Sequence, residues 1–322
     1  MILLIGSKYD LTSILVTQWL HRLKSNFIKI NTEEFSLLNH FKISNTEQKI
    51  KINNIDFELL SSVWHRRGRL RHIPLELNNL GDLSKYLKKE EDSLIKTIEL
   101  SLKKSTLYIG SYLKEIENYK LYNLQAAKDS GFLIPNTLIT NSKEELQNFY
   151  NETKGELISK DIRYSVNIVD GNNYIGSCGT FILKEKDINL LDNDFAPILV
   201  QEYIEKEFEL RVFFFKKKIF PMAIFSQNDA KTKVDFRNYN EEKPNRCVPF
   251  DLPIKLQDKI LRFSQAIDLN SGSIDLIYSK EKEYVFLEVN PMGQLDWVSK
   301  NCNYNIEKEI ATILNNYDKE CE

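Results

Sequence analysis

The chain opens on an apolar run, Ile2-Leu3-Leu4-Ile5, closed by Gly6-Ser7, and then places apolar residues at Leu11, Ile14, Leu15, Trp19 and Leu23. A short run followed by helical spacing predicts strand, turn and helix. Phe27-Ile28-Lys29-Ile30 reads as a second strand, so the opening is a βαβ unit whose parallel strands favour an α/β arrangement. No G-x-G-x-x-G follows the first strand, which excludes a dinucleotide-binding fingerprint. From Phe41 to Phe57 apolar and polar residues alternate, broken at Asn45 and at Asn53-Asn54, which predicts two or three short strands in hairpins. Ser62-Val63-Trp64-His65-Arg66-Arg67 predicts a strand ending in charge. Gly68 and Pro74 punctuate it before a Leu- and Lys-rich helix from about Leu83 to Leu102. A first unit is expected to end near Leu107 to Ser111.

The second part starts with a helix opened by Glu117-Asn118-Tyr119-Lys120, carrying Leu121, Leu124 and Ala127 on one side and stopped at Lys128-Asp129-Ser130-Gly131. Leu138-Ile139-Thr140 reads as a strand. Ser142 then caps a helix to about Tyr150, with Glu144-Glu145 in its first turn. Glu156 to Lys160 and Ile198 to Ile204 read as strands flanking a region between Asp161 and Gly179 that is either a mobile loop or a hairpin. Two long β segments follow, Glu209 to Phe215 and Ile219 to Ser226, joined at Lys216-Lys217-Lys218. A helix is expected from about Ile254 to Ile267 and another from Ile306 to Leu314.

Between those helices lie Ser273 to Tyr278 and Tyr284 to Pro291, two β-rich runs around the polar connector Ser279 to Glu283, which predict an antiparallel hairpin. Residues two apart share a face, so Glu288 and Asn290 point one way while Val285, Leu287 and Val289 enter a core. Asp275 joins the two polar residues from the neighbouring strand. Two carboxylates and an amide oxygen form an all-oxygen set, suited to a hard cation such as magnesium. Ordinary solvated residues on an exposed sheet face are the competing account, and composition alone favours it.

Composition narrows the class. The 322 residues are 42% hydrophobic and 28% charged with a net charge of −2, ordinary for a soluble globular protein of two or three lobes. No basic excess suits a nucleic-acid backbone, and no apolar run approaches the roughly 18 residues of a membrane span. With no signal-like start, a cytoplasmic location is expected. Cys178, Cys247, Cys302 and Cys321 have no paired spacing and read as free thiols; His21, His40, His65 and His72 have no ligand-like spacing.

Asp275, a hydrophobic strand, and then Glu288-Val289-Asn290-Pro291 resemble the metal-binding end of the ATP-grasp ligases, and other segments match in order. The likeness spans roughly residues 112 to 322. It implies an α/β (α+β) chain: an N-terminal pre-ATP-grasp α/β unit, 1–110, then an ATP-grasp domain, 111–322, with antiparallel sheets in lobes of about 111–197 and 198–322. Lys120 and Lys160 would be the phosphate-binding lysines. Gln201-Glu202-Tyr203-Ile204 resembles the hinge whose backbone reads adenine, Glu209 would take the ribose hydroxyls, and Arg211 the acyl phosphate. A surface salt bridge between Glu209 and Arg211 competes with that reading. Asp235-Phe236-Arg237-Asn238 resembles the second substrate arginine, Arg237, of the RimK-type branch. The implied cofactors are ATP and two magnesium ions, with Glu288 bridging the ions, Asp275 on one and Asn290 on the other.

The family carries a glycine-rich loop after its second lysine; here Asp161-Ile162-Arg163-Tyr164 replaces it, and Gly171, Gly176 and Gly179 are scattered. A narrower group shares that departure. Trp64 to Arg67, Ala223 to Gln227, Asp235 to Arg237 and Glu288 to Gln294 resemble the peptide maturases of microviridin-type systems, most of all the "grasp-with-spasm" maturases. This likeness implies a graspetide synthetase that links Asp or Glu side chains of a ribosomal precursor peptide to Ser, Thr or Lys side chains as ω-esters or ω-amides. It carries with it a radical-SAM co-maturase as partner and leaves a homodimer open. Arg66 and Arg67 would steer an acidic stretch of precursor, against the competing account of two solvated arginines. A RimK-like ligase adding amino acids to a carboxylate, and a non-catalytic nucleotide-binding scaffold, are the alternatives.

Overall fold

The computed structural model describes residues 1–74, 77, 80–163, 167–171, 173–176, 179–229, 232–237 and 240–321. The opening forms as its pattern requires: β1 (Ile2–Gly6), α1 (Leu11–Arg22) and β2 (Phe27–Asn31), with β1 and β2 parallel. Asp10 starts α1 by accepting from the Ser13 backbone N–H at 2.8 Å. β3 (Leu38–Ile43), β4 (Gln48–Ile52) and β5 (Ile55–Asp56) make a small antiparallel sheet. β6 (Ser62–His65) returns to the first sheet. After α2 (Asp82–Ser105), β7 (Leu107–Ile109) completes its order β2-β1-β6-β7, all parallel.

Next come α3 (Tyr112–Ile116), α4 (Lys120–Asp129), β8 (Thr137–Ser142), α5 (Lys143–Glu152) and β9 (Leu157–Lys160). β10 (Asn167–Asp170) and β11 (Asn173–Gly176) form a separate hairpin, so the backbone described between Asp161 and Gly179 takes the second of the two expected forms. β12 (Phe181–Leu183), α6 (Glu185–Asn189) and β13 (Asp194–Glu202) finish a sheet of order β12-β9-β13-β8. β14 (Lys206–Phe215), β15 (Lys218–Phe225) and β16 (Arg246–Pro249) lead through α7 (Ile254–Ala266) to β17 (Ser271–Ser279) and β18 (Tyr284–Asn290). These five strands form the antiparallel sheet β16-β15-β14-β17-β18, and α8 (Asp296–Cys302) and α9 (Ile306–Glu320) close the chain.

Alternation explains how the layers stack. On β1, Leu3 and Ile5 face a core with Ile95, Ile98 and Leu102 of α2, whereas Ile2 and Leu4 face another with α1 and α9. That second core also takes Phe213, Phe215, Met222 and Ile224 from the five-stranded sheet, so it crosses the boundary expected near residue 110. The opposite face of β14, through Leu210, Val212 and Phe214, packs on α7 and α4. Each fully buried Phe side chain here contributes about 1.5–3 kcal/mol before chain entropy is charged against it. Odd-numbered positions of β14 therefore read Glu209, Arg211, Phe213, Phe215: one strand face runs from an open cleft into a sealed core.

The sheets cut across two expected lobe boundaries. The division at 197/198 cuts β13, which pairs with both β8 and β9 and belongs wholly to the four-stranded sheet. α4 sits on the other side: Leu124 and Ala127 pack with Leu256, Ile260 and Phe263, because its apolar stripe faces the five-stranded sheet. No helix among the described residues is long and apolar enough to cross a membrane. Cys247, Cys302 and Cys321 are free, and Cys178 lies outside the described residues.

Candidate active site

β17 and β18 pair with Asp275 opposite Glu288 and Ser273 opposite Asn290. The register then shifts, and Leu276 faces Phe286, leaving Leu287 as the extra residue of a β-bulge. This corrects the expected inward set. Phe286 and Val289 enter the core, whereas Leu287 turns into the cleft beside Glu288, because the bulge resets the two-residue period. The polar convergence itself is present: Asn290 Nδ2 donates to Asp275 Oδ2 at 3.2 Å, and Asp275 and Glu288 line the same cavity. Burial pushes the Asp275 carboxyl above the usual range; Arg211 opposes that shift and the Glu288 charge adds to it.

Two arginines face these acids. Arg211, directly across β14 from Asp275, donates through Nη1 to both carboxylate oxygens at 2.8 Å. Its Nε and Nη2 are buried with no hydrogen-bond partner among the described residues. The surface bridge to Glu209 does not form. Glu209 is buried and is held by Lys206 Nζ and by Ser226 Oγ, the latter donating at 2.7 Å. Arg237 forks onto Asp235, Nε at 2.8 Å and Nη2 at 2.7 Å, and reaches Glu288 Oε1 through Nη1 at 3.3 Å. Burial alone would raise the Asp235 carboxyl, but hydrogen bonds and charge from Arg237 and a bond from Thr180 hold it below its ordinary value. The Asp235 bonds in turn lift the Arg237 guanidinium further above its ordinary range.

A cleft lies between the two sheets, with apolar walls and a few convergent charged groups, as small-molecule sites have. Lys160, Gln201, Glu202, Tyr203, Glu209, Arg237, Asp275 and Glu288 all line it. A second hollow continues from it past Arg237, Asp275 and Glu288 to Arg211, Asn290, Met292, Gln294 and Trp297. Lys120, at the start of α4, donates from Nζ to the Asp161 carbonyl at 2.8 Å, beside the end of β9 that carries Lys160. Asp161 thus anchors a lysine in the place expected for a glycine-rich loop; Tyr164 lies outside the described residues.

Burial lowers the Lys160 ammonium to about 8; Glu288 works against that shift and Lys120 with it. The protonated form is the one that attracts phosphate, so ADP affinity is expected to fall as pH rises from 7 to 9. Titration calorimetry across that range checks it, and Lys160→Arg should flatten the profile; an equally steep profile in that variant removes Lys160 as its source.

Some expected roles move. The N–H of Glu202 is spent on Asn136 O at 3.0 Å and that of Tyr203 on Glu156 O at 2.8 Å, so the expected reading of a base by this backbone falls to its other groups. The Glu202 carboxylate is likewise tied to Asn136 at 3.0 and 2.8 Å. Arg66 is 7% exposed, pairs with Asp10 at 3.6 Å and donates to the Met292 carbonyl; it is neither solvated nor turned outward to a peptide. Arg67 is exposed, and Asn238 lies outside the described residues. Among the described residues no group of three or more His, Cys, Asp or Glu side chains is placed so that it could hold a metal ion. The candidate metal set depends on the Asn290 amide.

Sequence reading missed Lys206, which lines the cleft and donates to Glu209 and, at 2.9 Å, to Val234 O. At a spacing of three, Lys206 and Glu209 belong to opposite faces of a regular strand. A register shift between Lys206 and Phe208 turns both inward, and nothing in the local pattern announces it. Trp297 was also missed. It stacks on Phe236 at 5.9 Å across the second hollow, a contact between residues 61 positions apart.

The model of the RimK-like ATP-grasp domain matches residues 118–314. Among characterised proteins, the alpha-aminoadipate–LysW ligase LysX of Sulfurisphaera tokodaii is 23% identical over 256 residues, covering 74% of this chain and 83% of that protein. A RiPP-associated ATP-grasp ligase of Chryseobacterium gregarium, solved with ADP and a leader and core peptide, superposes with a TM-score of 0.84 at 24% identity, covering 97% of this chain and 96% of its own. Macrocyclase MdnC of Microcystis aeruginosa, bound with precursor peptide MdnA, gives a TM-score of 0.80 at 25% identity, covering 98% of this chain and all of its own. With more than half of its length matched by one family model and its charged residues gathered along one cleft, this chain belongs to the RimK-like ATP-grasp family and is an ATP-grasp ligase.

Proposed function

We propose that this ligase phosphorylates Asp or Glu side chains of a ribosomally made precursor peptide and joins them to Ser, Thr or Lys side chains as ω-esters or ω-amides. The observation that carries this is the closeness of the superposition. Over essentially the whole chain the two peptide-bound ligases superpose with TM-scores of 0.84 and 0.80, against 0.53 for a RimK domain protein of Sphaerobacter thermophilus that spans as much of it. The division into an N-terminal unit and an ATP-grasp domain is part of the same proposal. A radical-SAM co-maturase and a homodimer rest on the resemblance alone.

The residues suit the steps. Lys120 and Lys160 bring two ammonium groups to the phosphate end of the cleft. Asp275, Glu288 and Asn290 are hard oxygen donors gathered on one wall of the cleft, and the set fits magnesium. Bound there, the metal would neutralise charge on the phosphoryl oxygens. The unused N–H groups of Arg211 open a fork for the peptide carboxylate, and Arg237 adds a second guanidinium. A carboxylate oxygen attacks the terminal phosphorus and ADP leaves. The hydroxyl or amine then attacks the acyl carbon, and phosphate departs carrying the nucleophile's proton. No side chain of the site is assigned as a dedicated base; positioning supplies the rate.

The similarity to LysX supports a second reading, addition of a free amino acid to a carboxylate. Incubation with ATP, magnesium and a candidate precursor peptide containing Thr, Ser, Asp and Glu separates the two. Loss of one water mass per link supports cyclisation. A gain of one amino-acid residue overturns it.

A further inference from the structure

We infer that Arg66 is a positioning residue: it reaches from the N-terminal unit to pin the turn 291–294, which walls the acceptor side of the second hollow. Arg66 leaves the carboxyl end of β6, where its N–H continues the pairing with β1 by donating to Ile5 O at 2.8 Å. Its side chain is buried. Nε lies 3.6 Å from Asp10 Oδ2, and Nη1 donates to the Met292 carbonyl. Asp10 is itself fixed, because it accepts from the Ser13 N–H at 2.8 Å and from Ser13 Oγ at 2.7 Å. The guanidinium is therefore a strut, with one end on the start of α1 and the other on the chain just beyond Asn290.

That turn needs holding. Gln294 sits at φ +29°, a backbone conformation that a residue with a side chain keeps only when its surroundings insist on it. Gly293 lies at φ +72°, where an added Cβ would meet the Phe213 ring at 2.8 Å, so the turn is laid close on β14. Inside the turn, the Gly293 N–H donates to Asn290 O and the Gln294 N–H to Met292 O, each at 3.0 Å. Ser273 Oγ, donating to Gly293 O, and Arg66 tether it from outside. Met292, Gly293 and Gln294 line the second hollow with Arg211 and Arg237, the two guanidiniums proposed for the acceptor carboxylate. Asn290 precedes the turn and is held separately, by its pairing with Ser273 and its bond to Asp275. Loosening the turn thus shifts the wall that the acceptor meets and leaves the candidate metal set in place. The consequence is a split: acceptor KM depends on Arg66, while nucleotide affinity and kcat do not.

This inference rests on the proposed ligation of a peptide carboxylate, and two readouts keep the two apart. Arg66→Lys is the informative variant. A lysine ammonium still pairs with Asp10 but ends about one bond short of the Met292 carbonyl, so the ion pair stays and the strut is cut. Hydrogen exchange of the full chain without any ligand, read by mass spectrometry over residues 289–296, should quicken about ten-fold in this variant while its melting temperature stays near native. With ATP, magnesium and a candidate precursor peptide, peptide KM should rise about ten-fold, with kcat and ADP affinity within about two-fold of native. Native exchange over the turn in Arg66→Lys overturns the strut. Faster exchange with native peptide KM overturns its service to the acceptor, and an equal loss of ADP affinity marks a general structural role and overturns it too. Should Arg66→Lys fail to fold, Asp10→Asn keeps the cap of α1, releases the anchor of the guanidinium and is read by the same two measurements. A native protein that modifies no peptide defeats the proposed function, and the exchange result still decides whether Arg66 holds the turn.

Discussion

Replacing Glu288 by Gln is expected to lower turnover by about three orders of magnitude, the several kcal/mol of charge stabilisation a metal site supplies, while leaving the fold intact. The amide matches the carboxylate in size, and its oxygen can still accept from Arg237, which sits 3.3 Å from Glu288 Oε1 in the native protein. What disappears is the second negative charge beside Asp275. That charge helps hold the Asp275 carboxyl above its usual range, so its removal relaxes the neighbour instead of stranding it. ADP production with peptide, read alongside a melting curve, gives the answer. A fully active Glu288→Gln protein would remove the metal assignment altogether.

Arg211 carries the second large effect, and here stability moves first. Arg211→Met leaves Asp275, 6% exposed, without the guanidinium that meets both of its oxygens at 2.8 Å. Stranding a buried carboxylate in this way costs about 3–5 kcal/mol. Adding Asp275→Asn to that variant should restore most of the loss, since the pair and not the arginine alone sets the cost. Arg211→Lys keeps a charge near Asp275 but loses the planar fork, so it should fold and yet lose about 100-fold in turnover per peptide concentration. Chemical denaturation and kinetics read the two effects separately. Equal stability for the single Met variant and the native chain would place Asp275 in a wetter setting than the one described.

The strands and helices were largely legible because their periods are local. The run Ile2 to Ile5, the Ser142 cap, Lys120 at a helix start and Lys160 at a strand end all follow from neighbours within a few residues. That Asp275, Glu288 and Asn290 share a face was legible for the same reason, two strands and a short turn, whereas their role as a metal set rested on the family resemblance. What escaped was phase and partnership. One extra residue at Leu287 and one shift near Lys206 reverse which side chains face the cleft, and a bulge leaves no mark in a pattern of alternating types. Long-range partners were equally hidden: Arg66 meets a carbonyl 226 positions away, and Arg211 pairs with Asp275, 64 positions away, in preference to Glu209 on its own strand. The strand at the approximate division near 197/198 pairs with β8 and β9, because a strand's sheet is decided by its partners and not by the segment that follows it.

The apolar cluster that joins Ile2, Leu4 and Trp64 to Phe213, Phe215 and Ile310 has a practical outcome for anyone wishing to borrow this enzyme. Its C-terminal two-thirds cannot be lifted out as a free-standing catalyst, because the cut would bare two phenylalanines and a helix flank to water and invite aggregation. Chimaeras that trade substrate preference between relatives will have to exchange both halves of that buried seam together, or redesign it.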